Sequence, residues 1–157
     1  MNSVETPLFG NILVDPAWKI AIIRSAWYPE MMTSLVQDAT EALRSAGIQE
    51  ENILFLEAPG SYELPLVAQT ALEAGADGVI AFGIIVQGST HHARLIAEQS
   101  AAGCMRVQLD QKKPVIYEVL FVDNLEDAKE RSIGPKAKGG LAARTLLSQL
   151  AGLAKLH

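Results

Sequence analysis

The chain has 157 residues, 49% of them hydrophobic and 20% charged, with a formal net charge of −5. That length suits one domain around one core, the composition is globular, and no apolar run approaches the ~20 residues needed to span a bilayer. An acidic chain lacks the concentrated Lys and Arg of a nucleic-acid binder, so any anion site must be local, and an opening MNSVETPLFGN without a secretory pattern, with Cys104 as sole cysteine, points to a cytoplasmic protein.

In chain order, residues 1–15 read as an N-terminal arm of the single domain, residues 1–157. Within the arm, Leu8 to Val14 (LFGNILV) forms an extra strand without an in-chain partner, which suits addition to a neighbouring subunit's sheet. Lys19 to Ile23 is short, branched and apolar after its first residue, the pattern of a strand buried on both faces. From Pro29 the apolar residues Met32, Leu35, Val36, Ala39 and Leu43 recur at helical spacing, and Gly47 is available to end the helix. Asn52 to Leu56 is a second strand, closed by Ala58-Pro59-Gly60. A helix follows to about Ala74, with Ser61 as its cap.

Gly78 to Val86 (GVIAFGIIV) is an almost uninterrupted buried strand, and it empties into Gly88-Ser89-Thr90-His91-His92. A long helix is expected from Thr90, with Leu95, Ala102, Met105 and Leu109 along one apolar stripe and Cys104 beside it. Pro114 to Leu120 is a fourth strand, Leu125 to Glu130 a short helix, and a last helix carries Ala143, Leu146, Leu147, Leu150 and Leu153 after Gly139-Gly140. Strands alternating with helices imply a three-layer α/β/α sandwich on a mainly parallel four-stranded sheet, with flavodoxin-like topology.

Open parallel sheets bind ligands beyond the carboxyl ends of their strands. There this sequence places Trp27 and Tyr28, then Ser61-Tyr62-Glu63, then Ser89-Thr90-His91-His92. Backbone N–H groups and hydroxyls at a helix start suit a phosphate, and Arg131 offers a bidentate clamp; the same residues also suit an ordinary cap and a solvated cation. His92 is the natural proton shuttle or a solvated structural histidine, Glu63 an acceptor for a polyol or a favourable first-turn charge, and Trp27 and Tyr117 each a plane for a ring or a core residue. Adjacent histidines diverge on a helix, so no metal centre is expected.

These residues resemble the lumazine synthase family over Lys19 to Leu150. Ala58-Pro59-Gly60-Ser61-Tyr62-Glu63-Leu64-Pro65 is similar to its PGAFEIP segment, Gly88 to His92 to its G-x-T-x-H segment, Pro114 to Tyr117 to its PVxFG strand, and Asn124 to Arg131 to its ExAxxR helix. The resemblance implies condensation of 5-amino-6-ribitylaminouracil with 3,4-dihydroxy-2-butanone 4-phosphate, without a cofactor. It implies that Trp27 stacks on the pyrimidine with Tyr117 closing the pocket, and that Ser61, Tyr62 and Glu63 hold the ribityl chain. Ile84, Ile85 and Val86 then contact the uracil edge, Ser89, Thr90 and Arg131 bind phosphate, and His92 moves protons. It further implies a homo-oligomer built from pentamers (pentamer, decamer or sixty-subunit shell), with Tyr117 and Arg131 supplied by a neighbour, and an association with riboflavin synthase.

Four departures from the family pattern stand out. Arg94 replaces an acidic residue two places after the histidine, Gln87 replaces a basic one, Glu118 stands where the strand usually has glycine, and the turn carrying Lys138 is one residue shorter. Arg94 and Glu118 motivate a rival expectation, a slow paralogue that binds flavin or lumazine or builds a shell. A flavodoxin-like electron carrier does not suit Ser25-Ala26-Trp27-Tyr28-Pro29, and a phosphoacceptor receiver domain would need an acidic pair after the first strand.

Overall fold

A computed structural model describes residues 9–157 of the chain. The elements alternate: β1 (Ile20–Ser25), α1 (Pro29–Ser45), β2 (Ile53–Ala58), α2 (Leu64–Glu73), β3 (Gly78–Val86), α3 (His92–Gln111), β4 (Val115–Val122), α4 (Leu125–Ser132) and α5 (Gly139–Ala154). All pairings are parallel and the strand order is β2-β1-β3-β4. The three-layer α/β expectation is met. From β1 the chain steps outward to β2, then returns to the far side of β1 for β3, which opens a crevice between the carboxyl ends of β1 and β3.

Strand alternation divides the core between the two sheet faces. Ile20, Ile22, Ile80, Phe82 and Ile84 meet Met32, Leu35, Leu43, Leu146 and Leu147 from α1 and α5. On the other face Ala21, Ile23, Val79 and Ala81 meet Leu64, Ala68 and Leu72 of α2 and Cys104 and Val107 of α3. Leu146 is fully buried, so Leu146→Ala would remove roughly 2–5 kcal/mol of stability. β3 is buried from Gly78 to Ile85 because it has a strand on each side and helices on both faces. β2, an edge strand, leaves Leu54 and Phe55 about half exposed.

Three local expectations need correction. The inward stripe of α3 is Ser100, Cys104 and Val107, whereas Leu95, Ala102, Met105 and Leu109 face outward. Close approach of α2 selects the small-residue side: a methyl on Gly103 would lie 2.7 Å from Pro65 Cγ. The second is Ser61, which does not cap with its side chain; it opens a 3₁₀ turn, Ser61–Glu63, and is itself buried. Third, residues 9–14 form no strand. Ile12 and Val14 pack on the α1/α5 core instead, while Leu8 lies outside the described residues.

Candidate active site

The crevice is built first by how β1 ends. Ala26 N–H donates to the Ala58 carbonyl at 2.9 Å, holding the ends of β1 and β2 together. Tyr28 then adopts a left-handed conformation, φ 56°, and Met32 N–H donates to its carbonyl at 3.0 Å as α1 begins. Such a backbone costs a non-glycine residue about 1–3 kcal/mol and persists only where the surroundings hold it. Its effect is to turn the chain sharply and leave Trp27 standing outward, 64% exposed, with its ring centroid 6.5 Å from that of Tyr28.

The second wall comes from the segment after β2. A methyl on Gly60 would lie 3.6 Å from Trp27 Nε1 and 3.7 Å from Glu63 Oε2, so the indole edge and the carboxylate both lie over this glycine. Ser61 tucks beneath, where a methyl on Gly83 of β3 would come within 2.5 Å of its Oγ. Gly83 is therefore a close-approach glycine: a side chain there would displace Ser61. Tyr62 is largely exposed at the rim.

The floor is the end of β3, Ile84 to Val86, and the third wall is the first turn of α3. Gln87 fixes the loop between them: its N–H donates to the Val122 carbonyl at 2.8 Å, and Nε2 donates to the Gly88 and Thr90 carbonyls at 3.3 and 3.4 Å. α3 begins at His92, with His91 at its cap position, two residues later than the hydroxyls suggested. Ser89 and Thr90 are exposed in the loop that precedes it. The space between these walls is an open cleft of about 600 Å³, within the usual range of small-molecule sites.

Trp27, Ser61, Tyr62, Glu63, Ile84, Ile85, Val86 and His92 thus line one cavity. Sequence reasoning missed Ala93, Leu95 and Ile96 as lining residues, and left Tyr28 and Gly60 outside its site although both were in view. Leu95 and Ile96 lie three and four residues after His92, the spacing that shares a helix face, and that was the available signal. Arg94 turns away from this cavity: Nε donates to Glu98 Oε1 at 2.8 Å in an exposed i,i+4 pair. Its charge is thereby answered on the outer face of α3.

Tyr117 and Arg131 lie elsewhere. The Tyr117 hydroxyl is 2.6 Å from Ser100 Oγ and donates to the Ala97 carbonyl at 3.2 Å, beneath α3; burial pushes its pKa up, with the Ser100 bond opposing. Arg131 lines a separate cavity of about 420 Å³ along the edge strand β4, with Glu118, Asp123, Asp127 and Lys138. Its Nη1 donates to the Asp127 carbonyl at 3.2 Å and lies 4.0 Å from the Asp127 carboxylate. A third space, about 610 Å³ beneath the arm, is lined by Phe9, Ile12, Asp38, Glu41, Arg144 and Leu147 among others, with no imidazole. Among the described residues no group of three or more His, Cys, Asp or Glu is placed to hold a metal ion. No helix among them is long and apolar enough to cross a membrane.

Residues 17–153 match the family described as 6,7-dimethyl-8-ribityllumazine synthase. The chain belongs to this family. It is also 40% identical over 147 residues to the 6,7-dimethyl-8-ribityllumazine synthase of Levilactobacillus brevis, an alignment covering 92% of this chain and 93% of that protein. The match to the lumazine synthase family runs through both the cavity beside Trp27 and the one beside Arg131, so the two belong to one domain type.

Proposed function

We infer that the chain is a transferase of riboflavin biosynthesis, condensing 5-amino-6-ribitylaminouracil with 3,4-dihydroxy-2-butanone 4-phosphate to 6,7-dimethyl-8-ribityllumazine, phosphate and water. The observation that carries the reading is membership of the lumazine synthase family, joined to a cavity that gathers an indole, a carboxylate and an imidazole. Each group has a job in that condensation. Trp27 stacks on the pyrimidine, the Ile84–Val86 backbone meets the uracil edge, and Ser61, Tyr62 and Glu63 hydrogen-bond the ribityl hydroxyls. The 5-amino nitrogen attacks the ketone carbon, and His92, beside it, relays protons as the imine forms and phosphate departs. Holding two reactants in register supplies a large share of the rate by itself, of order 7–11 kcal/mol in well-oriented systems.

The phosphate falls to Ser89 and Thr90 before α3 and to Arg131, with Lys138 beside it. In one protomer Arg131 and Lys138 line a cavity apart from the one that holds His92, while Ser89 and Thr90 line neither, which supports a site completed between subunits, Arg131 and Tyr117 being donated by a neighbour in a pentamer-based assembly. The outward apolar residues of α3, Leu95, Met105 and Leu109, give such an assembly a surface to cover. Association with riboflavin synthase would follow as the consumer of the product.

The direct test is absorbance detection of lumazine from the two purified substrates, with phosphate released in equal amount. Ligand binding without turnover would instead support the slow paralogue. Sedimentation showing only monomer at micromolar concentration would overturn the shared site.

A further inference from the structure

β4 runs along the sheet edge, and alternation directs Ile116, Glu118 and Leu120 to the face that carries the α1/α5 core. In register Glu118 stands beside Phe82, which is fully buried. A carboxylate therefore occupies a place in an otherwise apolar row, at the floor of the cavity that holds Arg131 and Lys138. Burial pushes Glu118 up to about 7, and the Lys138 ammonium pulls against that rise. The other charged groups in the cavity are Asp123 after β4 and Asp127 on α4. The next charged residue of α5, Arg144, lines the space under the arm with Asp38 and Glu41.

We propose that Glu118 is a positioning residue that governs the anion half-site: ionised, it engages Lys138 and repels an incoming phosphate, and protonated, it frees Lys138 to join Arg131 on the anion. This rests on the reading of the Arg131 cavity as a phosphate half-site. Anion binding is then linked to proton uptake at Glu118, and affinity declines as pH rises through neutrality. Inorganic phosphate departing as a product meets the same control, so the group also influences release.

Sulfate is the suitable probe because its charge is fixed where phosphate titrates. Calorimetry on the assembled wild-type protein should show the sulfate dissociation constant rising about three- to tenfold from about pH 6 to about pH 8. Glu118→Gln, close to isosteric, should keep the low-pH affinity at both values, and Lys138→Met should bind weakly at both. Wild type and Glu118→Gln differ at this one side chain, so the difference between their pH dependences isolates Glu118. In steady state Glu118→Gln should flatten the pH dependence of KM for the phosphate-bearing substrate. A Glu118→Gln slope equal to wild type overturns the gate and leaves the phosphate reading standing. Sulfate affinity unchanged in Arg131→Ala, or no saturable sulfate binding by wild type, overturns that reading and the gate with it.

Discussion

The cavity at the carboxyl ends of β1 and β3 and the cavity along β4 are built from opposite materials. The first has aromatic and aliphatic walls, with Glu63 and His92 as its titratable groups apart from the Tyr28 and Tyr62 phenols. The second packs three carboxylates and two cations around a strand edge. A flat, largely apolar ring with hydroxyls suits the first, because stacking and a few directed hydrogen bonds fix it there. The second sets a guanidinium and an ammonium among those carboxylates, and the proposed phosphate contact rests on the two cations. The contrast teaches that one protomer keeps the two kinds of lining apart, so under the proposed reading the two would be joined where copies of the chain meet.

Substitutions can break this division of labour, and the largest effect is expected at the proton-moving group. His92→Ala should lower kcat about 100-fold or more, the usual scale of general acid–base assistance, with little change in either KM. A kcat within a few-fold of wild type would leave positioning alone as the source of rate. Arg131→Ala comes next: losing a charge-assisted pair should raise KM for the phosphate-bearing substrate about 10- to 100-fold and spare KM for the pyrimidine. Equal rises in both would mean that the two cavities do not divide the substrates. Trp27→Leu should raise the pyrimidine KM by roughly 3- to 10-fold through lost stacking, measured at saturating butanone phosphate.

Much of this was legible in the residues before any coordinates. The β/α alternation and the unbroken apolar run of Gly78 to Val86 fixed a parallel sheet, and residues clustered at three strand ends located the first cavity. What stayed hidden has physical causes. The inward side of α3 is lined by small residues, Ser100, Gly103 and Cys104, so hydrophobicity pointed to Leu95, Met105 and Leu109, the wrong side. Ser61 looked like a cap because serine caps helices, yet its burial against Gly83 depends on a contact 22 positions away in the chain. Glu118 registered only as a departure from the family pattern; its raised pKa comes from burial, which no local spacing reveals.

The smallest effect sharpens the comparison most, because Tyr117 lines neither of the two cavities. Its hydroxyl is spent on Ser100 and on the Ala97 carbonyl, within the sheet–α3 layer. Tyr117→Phe keeps the ring, and Ser100 Oγ can still donate to Ala97 at 3.3 Å, so only one carbonyl acceptor and one hydroxyl contact are lost. The expected cost is about 1 kcal/mol of stability by denaturant titration, with kcat and both KM values within about twofold of wild type. If Tyr117 instead reaches a neighbour's substrate through its hydroxyl, the pyrimidine KM will rise while stability holds. The ratio of those two changes therefore reports whether the hydroxyl of this tyrosine serves only the layer beneath α3 or also the seam between subunits.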